Sequence, residues 1–307
     1  MIAAPPQTRS YAQGFARRRG ESAYPELWDG LSALYAPCLG PTGGRVPNWS
    51  AHGPAHDGTF SGLDVGQDWV STRFGWAVDL PGSNGHIDCG SPSALAISGR
   101  PNLSIFGLIK LQEAATYRGI WDNSQGTDPT LFRLSFSTYD NYLRLVIGDG
   151  TGYASFYSNA VLSLDKWLHV GVTVSADNSI VFYYNGAACG LATLNRDLAP
   201  STASWKIGRA LGYASRGLGG LMAALAVYDR VLPPGMAMRL CRLPVAPLCP
   251  RGRVLGMLPA IGGPYRIAAA QAFETGAAAG DLFHTGAAEG EVFNTGSIIG
   301  ECDGRSG

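Results

Sequence analysis

The chain has 307 residues, 46% of them hydrophobic and 10% aromatic, which is enough for a sizeable core and excludes a long disordered chain. Its 23 Lys and Arg balance 23 Asp and Glu, which excludes nucleic-acid binding through a basic excess. The 42 Gly and 19 Pro indicate many turns and few long helices, and no stretch approaches the roughly 20 apolar residues of a membrane span.

The first segment, residues 1–26, is polar, contains Pro, and holds four Arg against two Glu. We expect it to form an extended N-terminal arm, with Arg17, Arg18 and Arg19 as assembly contacts. It lacks the apolar stretch of a signal peptide, and its basic cluster follows the weakly apolar part instead of preceding it. We therefore expect no export by the ordinary signal-peptide route.

Residues 27–245 alternate short apolar runs with turn signals. Six of these runs are 6–9 residues long, rich in aromatic and β-branched residues. They are LSIFGLIKL (103–111), LFRLSFSTY (131–139), YLRLVIGD (142–149), YASFYS (153–158), WLHVGVTVS (167–175) and SIVFYYNG (179–186). The turn sequences DNSQGTDP, GDGTG, SADNS and NGAACG separate or follow them. The pattern predicts an all-β, antiparallel two-sheet sandwich, with a single helix over 233–243.

The run at 167–175 shows how the core is predicted from alternation. Leu168, Val170, Val172 and Val174 lie on one face of the strand, so we expect that face to point into the core.

Five ordered segments resemble one family. They are LWDGLSALYAP (27–37), NWSAHGPAHDGTF (48–60), FGWAVDLPGSNGHIDCG (74–90), LSLDKWLHVGVTVSADNSIVFYYNGAACG (162–190) and IGRALGYASRGLGGLMAALAVYDRVLPPGMAMRL (207–240). Together they are similar to the opening strand, central hairpin and closing strand of laminin-G-like domains in the concanavalin A-like lectin/glucanase superfamily. The resemblance implies a jelly roll over 27–245, of the kind found in bacteriophage and environmental bacterial proteins.

The C-terminal part becomes rich in Gly, Ala and Pro, with a linker predicted over 246–272. Three copies of a ten-residue unit follow, FETGAAAGDL, FHTGAAEGEV and FNTGSIIGEC, which together cover 273–302. Terminal residues 303–307 complete the chain. Thirty residues of this composition cannot bury a core alone, so we interpret Phe273, Phe283 and Phe293 as assembly contacts of a repeat tail.

Because the superfamily includes glycosidases, catalysis is the first function to consider. Retaining hydrolysis needs two carboxyl groups about 5–5.5 Å apart, and the Glu-x-Asp-x-x-Glu signature of the glucanase relatives is missing from this sequence. Glu113 is the only Glu between Glu26 and Glu274. No G-x-S-x-G motif supports a serine nucleophile. The sequence therefore predicts a protein without catalytic residues, with a glycoside hydrolase as the least favoured alternative.

Calcium binding is the next function to consider, since many relatives bind Ca²⁺ through the side-chain oxygens of Asp and Asn in loops. The weak candidates are Asp122, Asn123 and Asp128, followed by Asp140 and Asn141.

Two departures from the family argue against calcium. Where relatives carry acidic residues, this chain has Leu80, Pro81 and Gly85 in one segment, and Ala223 and Ala224 in another. Loop Asp and Asn also commonly form turns without binding metal. We therefore predict no metal and no cofactor.

His52 and His56 are four residues apart, a spacing that places two ligands on one face only in a helix. Gly53-Pro54 argues against a helix there, so we interpret both histidines as structural. The six cysteines (38, 89, 189, 241, 249 and 302) show no CxxC or metal spacing, and we expect mostly buried free thiols. A Cys241–Cys249 bridge is the alternative.

Aromatic rings beside turns can stack on sugars. The glycan-binding candidates are Tyr139, Tyr142, Tyr153 and Tyr213, with Phe156 and Tyr157 nearby. About half of a strand's aromatic residues are buried by geometry alone, so sequence does not select among them.

We interpret the protein as a non-enzymatic display protein on a virion surface, a capsid decoration or fibre protein. Its expected partners are further copies of itself, a capsid or other structural protein, and surface glycans. The alternative is a secreted or cell-surface adhesin of a bacterium that binds carbohydrate.

Overall fold

The computed structural model describes residues 15–91, 95–113 and 116–251. The first strands are β1 Leu31–Tyr35, β2 Arg45–Val46, β3 Gly58–Ser61, β4 Trp69–Thr72, β5 Gly75–Leu80, β6 His86–Asp88, β7 Leu103–Leu111, β8 Tyr117–Asp122 and β9 Leu134–Tyr139. The later strands are β10 Tyr142–Gly148, β11 Tyr153–Val161, β12 Trp167–Val174, β13 Ser179–Tyr184, β14 Ala187–Thr193, β15 Lys206–Ile207, β16 Arg209–Ala210, β17 Tyr213–Gly217 and β18 Gly220–Tyr228. One α-helix, α1, covers Pro234–Arg242.

The strands form two large antiparallel sheets and a short ribbon. The first sheet has the order β14-β13-β12-β7-β18-β5-β4, and β1 also pairs with β18. The second sheet has the order β11-β10-β9-β8-β15-β6-β3-β2, and β16 and β17 form the ribbon. The predicted all-β, antiparallel two-sheet jelly-roll sandwich is confirmed.

Each of the six predicted runs contains a strand, and the predicted helix is α1. The run at 131–139 becomes a strand only from Leu134, because a 3-10 turn opened by Pro129 occupies 129–131. Twelve of the eighteen strands in the described ranges lie outside these runs, and one of them, β14, falls where a turn is predicted. β14 occupies part of the predicted turn NGAACG, since the turn needs only Asn185 and Gly186, which both have positive φ.

The main core lies between the sheets. The predicted inward face of β12 is confirmed, because Leu168, Val170, Val172 and Val174 are all buried in this core. Within it Trp121 stacks on Trp205, with ring centroids 4.8 Å apart.

A second apolar layer covers the outer face of the first sheet. Leu27, Trp28, Leu240 and Leu248, among others, pack there against Phe106 and its neighbours. As a result the first sheet is buried on both faces. The outer face of the second sheet is covered by a smaller apolar cluster.

Within this layer, the first and last described segments are hydrogen-bonded to each other. The amide of Ala16 donates to the carbonyl of Leu248 (2.9 Å), and the amide of Arg251 donates to the carbonyl of Glu21 (2.7 Å). Residues 15–26 are therefore folded against the domain, whereas composition predicts an extended arm. Residues 246–251 of the predicted linker are likewise packed, with a 3-10 helix at Ala246–Leu248.

The five cysteines within the described ranges are free thiols, so Cys241 and Cys249 are not bridged in this structure. Cys38, Cys89 and Cys249 are buried, and burial raises the pKa of each thiol to about 12. Cys302 lies outside the described residues. Within the same ranges the structure has no helix long and apolar enough to cross a membrane.

Candidate functional site

The short ribbon β16–β17 lies on the outer face of the second sheet. Its first strand crosses β8 at Gly119, where a Cβ atom would stand 2.0 Å from the carbonyl carbon of Arg209. Only glycine permits this approach. Ala210 and Leu211 pack there on Phe132 and Val146 in a small apolar cluster. The ribbon therefore covers part of the face and leaves the part beside it open.

A buried carboxylate fastens the ribbon to the sheet. Asp122, at the end of β8, accepts hydrogen bonds from the amide of Leu211 (3.0 Å) and the hydroxyl of Ser124 (2.9 Å). Burial raises the pKa of this carboxyl. Its role in the structure is to hold the chain at the start of the ribbon turn.

Beside the ribbon, four tyrosines and two arginines form a continuous patch, which we call the tyrosine–arginine surface. Its members are Tyr117, Tyr139, Tyr157, Tyr213, Arg144 and Arg216.

Two contacts link the tyrosine rings of this surface. The rings of Tyr117 and Tyr139 have centroids 5.0 Å apart, and those of Tyr139 and Tyr157 are 5.8 Å apart. Both pairs meet edge-on, a favourable geometry for aromatic rings.

Both guanidinium groups contact tyrosine rings of this surface. That of Arg144 is 5.5–5.9 Å from the centroids of Tyr117, Tyr139 and Tyr157. That of Arg216 is 4.0 Å from Tyr117 and 3.7 Å from Tyr213, so it lies close to both rings.

Strand register explains why these side chains share a face. Tyr117 is opposite Tyr139, and Arg144 is opposite both Ser137 and Tyr157. Directly paired residues point to the same side of a sheet. The alternate residues of these strands, such as Phe136, point into the core.

Exposure differs strongly within the surface. Tyr157 is 41% exposed, and Tyr117, Tyr139, Tyr213 and Arg216 are half-buried. Arg144 is only 4% exposed, and its Nε and Nη2 donate to the Ser155 hydroxyl at 3.2 and 2.8 Å. Its Nη1 is buried without a hydrogen-bond partner among the described residues.

The four predicted glycan candidates divide between two settings. Tyr139 and Tyr213 belong to the tyrosine–arginine surface. Tyr142 is directly opposite Tyr139 in the sheet but makes no ring contact with the cluster among the described residues, and neither does Tyr153. Tyr142 is 37% exposed beside the β9–β10 turn, and Tyr153 is 40% exposed with its ring 5.0 Å from that of Phe132. Of the two neighbours named with them, Phe156 is buried in the core and Tyr157 belongs to the surface.

Sequence reasoning missed Tyr117, Arg144 and Arg216 as members of the site. The alternation of β10 places Arg144 opposite the core face. Tyr117 lies outside the predicted runs, and Arg216 lies within the family-like segment 207–240, which gives no sign that it faces a binding surface.

The candidate calcium ligands serve the fold. Asp122 holds the ribbon turn, and Asn123 accepts from the amide of Leu134 (3.0 Å). Asp128 caps a 3-10 turn by accepting from the Thr130 amide at 2.8 Å and hydroxyl at 2.6 Å. The described residues contain no cluster of three or more His, Cys, Asp or Glu suited to a metal. Asp140 and Asn141 form the β9–β10 turn, both with positive φ.

The expectation that Gly53-Pro54 prevents a helix beside the histidine pair is wrong. Gly53–His56 forms a 3-10 helix, although Gly53-Pro54 argues against a helix at this place. Gly53 has positive φ, and Pro is well accommodated near a helix start. The rings of His52 and His56 consequently stack, with centroids 5.5 Å apart.

The basic cluster Arg17–Arg19 is exposed, and two of its side chains make ion pairs within the chain. Arg18 pairs with Glu21 at 2.8 Å, and Arg19 pairs with Asp29 at 2.7 Å. The other predicted assembly contacts, Phe273, Phe283 and Phe293, lie outside the described residues, as does the whole repeat tail.

Comparison with protein families agrees with this architecture. Residues 82–235 match a laminin-G-like family model of the concanavalin A-like lectin/glucanases superfamily. The chain belongs to this superfamily. No curated protein matches the chain.

Solved structures with this lectin-like fold resemble the chain at low sequence identity. Domain 4 of AbnA, an extracellular arabinanase of Geobacillus stearothermophilus solved with arabinotriose, is 19% identical with a TM-score of 0.52. The match covers 69% of this chain and 98% of that domain.

Two toxin domains are also similar. The binding domain of Paraclostridial Mosquitocidal Protein 1 is 14% identical with a TM-score of 0.54, and the match covers 70% of this chain and 52% of the domain. The binding domain of botulinum neurotoxin serotype G is 14% identical with a TM-score of 0.53, over 70% and 51% of the two chains. This chain therefore spans about half the length of each toxin domain, and the likeness shows the fold alone.

Proposed function

We propose that this lectin-like domain binds carbohydrate through the tyrosine–arginine surface. The observation that carries the proposal is the placement of four tyrosine rings on the open part of one sheet face, where a saccharide ring can stack on them. The rings are held by one another and by two guanidinium groups, so little side-chain freedom is lost on binding. Domain 4 of AbnA, which shares the fold, was solved with arabinotriose, and this supports a saccharide as ligand.

We propose further that binding occurs without catalysis. The sequence lacks the Glu-x-Asp-x-x-Glu signature of the glucanase relatives, whereas retaining and inverting hydrolysis both use a pair of carboxyl groups. Glu113, the single Glu of residues 27–251, is ion-paired with Arg118 at 3.3 Å. Incubating the protein with a polysaccharide panel and assaying reducing ends tests this; released sugar would overturn it.

The binding proposal is tested by screening the protein on a glycan array and titrating each positive saccharide by calorimetry. Tyr157→Ala removes an exposed ring, so the domain should keep its Tm while affinity falls about tenfold, equivalent to about 1.4 kcal/mol. The matched control is Tyr24→Ala, since Tyr24 is a half-buried tyrosine lying beneath Arg239 (5.0 Å) in the layer over the first sheet. The proposal fails if no saccharide binds or if both variants bind alike.

We retain a virion surface as the proposed location, with capsid decoration or a fibre as the role. Its support is the sequence: a basic segment at 17–19, a ten-residue repeat over 273–302, and the resemblance to phage-borne domains. Copurification with phage particles would support the virion role. Recovery from the culture medium or from a bacterial cell surface would favour the alternative, a carbohydrate-binding adhesin.

A further inference from the structure

We infer that the saccharide recognised by the tyrosine–arginine surface is acidic, carrying carboxylate or sulfate groups. The inference rests on the proposed carbohydrate-binding function and names the ligand class of the same surface. Three observations carry it: the unbalanced charge of the surface, the free edge of Arg216 and the burial of Arg144.

The charge of the surface is unbalanced. Seven arginines of the described ranges form ion pairs with Asp or Glu, namely Arg18, Arg19, Arg45, Arg100, Arg118, Arg196 and Arg239. The other nine arginines of these ranges make no such pair with described residues, and two of the nine, Arg144 and Arg216, lie together on this surface. The carboxylate adjacent to the surface is that of Asp140, which follows Tyr139 in the β9–β10 turn and raises the pKa of its phenol.

Arg216 presents the donors that an acidic group needs. Tyr117 and Tyr213 lie against its guanidinium group at 4.0 and 3.7 Å. Guanidinium groups stack through their faces, and carboxylates and sulfates bind them edge-on. No hydrogen bond from its side chain occurs among the described residues, so its in-plane N–H groups are available to a ligand. A sugar stacked on Tyr157 or Tyr139 would place its acidic substituent within this part of the face.

Arg144 supplies positive charge from beneath the rings. It is 4% exposed, and its only hydrogen-bond acceptor among the described residues is the neutral hydroxyl of Ser155. The hydroxyl of Ser137, opposite it in the sheet, is buried without a partner, as is its own Nη1. A buried charge without a counter-ion is unfavourable. An anion on this face would compensate that charge, whereas a neutral sugar would not.

The test is a titration of the full chain with matched acidic and neutral saccharides. The carboxylate pair is polygalacturonate and its methyl ester, and the sulfate pair is heparin and desulfated heparin. We expect the acidic member of at least one pair to bind about tenfold more tightly than its neutral counterpart, and the difference to shrink from about 50 mM to about 300 mM salt. The pair that shows the difference identifies which acidic group is recognised.

Two variants assign the charge effect to this surface. Arg216→Gln should reduce affinity for the acidic saccharide about tenfold. Arg73→Gln is the control, because it removes the same charge and a similar ring contact (4.8 Å to Phe74) from the β4–β5 turn of the other sheet. Its affinity should equal that of the wild type.

The outcomes separate the inference from the function on which it rests. The inference of an acidic ligand is overturned if the neutral saccharides bind as tightly as the acidic ones, or more tightly. If Tyr157→Ala then weakens this binding, the proposal of carbohydrate binding stands. Equal losses in Arg216→Gln and Arg73→Gln also overturn the inference, because the charge effect is then general to the protein. Absence of binding to all four saccharides and to the glycan array overturns both.

Discussion

The backbone N–H of Leu211 donates a hydrogen bond to Oδ1 of Asp122, 3.0 Å away and 89 positions earlier in the chain. This bond joins the end of β8 to the turn between β16 and β17. Tyr213 and Arg216 lie on β17, directly after that turn. The geometry of the tyrosine–arginine surface therefore depends on a buried carboxylate that does not belong to it.

Asp122→Ala tests this dependence. It leaves the Leu211 amide without its acceptor, and an unsatisfied buried donor costs about 1–3 kcal/mol. We expect Tm to fall by about 3–10 °C and saccharide affinity to fall as well. Differential scanning fluorimetry and calorimetry measure the two effects.

Asp122→Asn is the matched variant, because it keeps one side-chain oxygen at the same place. Its losses should be smaller than those of Asp122→Ala. If the alanine variant binds saccharide as tightly as the wild type, the carboxylate does not position the surface.

Chelation should leave stability unchanged. The oxygens of Asp122, Asn123 and Asp128 accept hydrogen bonds from within the chain. We expect the same Tm in the presence of EDTA, measured by fluorimetry with and without added calcium. A drop of more than about 5 °C, roughly 1–2 kcal/mol for a domain of this size, would show that a bound metal stabilises the fold.

His169 should make the domain sensitive to mild acid. Its ring stacks on that of Phe106, with centroids 5.6 Å apart, and burial lowers its pKa to about 3. In the unfolded chain the pKa is about 6.5. Between these values the unfolded state binds the extra proton, so stability is complete above about pH 6.5 and is lost as the pH falls.

The expected loss from His169 is about 1.4 kcal/mol between about pH 7.5 and about pH 5.5. His169→Phe should reduce the dependence of the unfolding free energy on pH over this interval by about that amount, measured by urea titration. The remaining dependence includes His56 and His86, whose pKa values burial also lowers. Comparing each protein with itself at the two pH values removes the effect of the substitution on packing. Parallel curves for the two proteins would mean that His169 does not titrate on unfolding.

Removing residues 273–307 tests the assembly role predicted from the repeats. The apolar layers of the described ranges are built from residues of the domain between 15 and 251, and we expect the truncated protein to keep its Tm. We expect it to be monomeric by light scattering and to lose any oligomer or particle binding that the full chain has. Assembly equal to that of the full chain would exclude the tail as the assembly element.

The sequence by itself locates six of the strands and predicts the inward face of β12. β7, β10, β12 and β13 can be located because a period of two and the flanking turn residues are local signals. The Asn185-Gly186 turn can be located for the same reason, because its signal is a dipeptide adjacent in the sequence. β14 follows that turn with small residues, which carry a weak strand signal.

Tertiary structure alone decides which side chains meet. Tyr117, Arg144 and Arg216 come from three separate segments, and their contact depends on strand register and on how the ribbon folds back over Gly119. It also decides which face is covered, because residues from 15–30, 36–39 and 229–251 pack over the first sheet. Alternation assigns a residue to one side of its strand, but the partner across that side is fixed by pairings between distant parts of the chain.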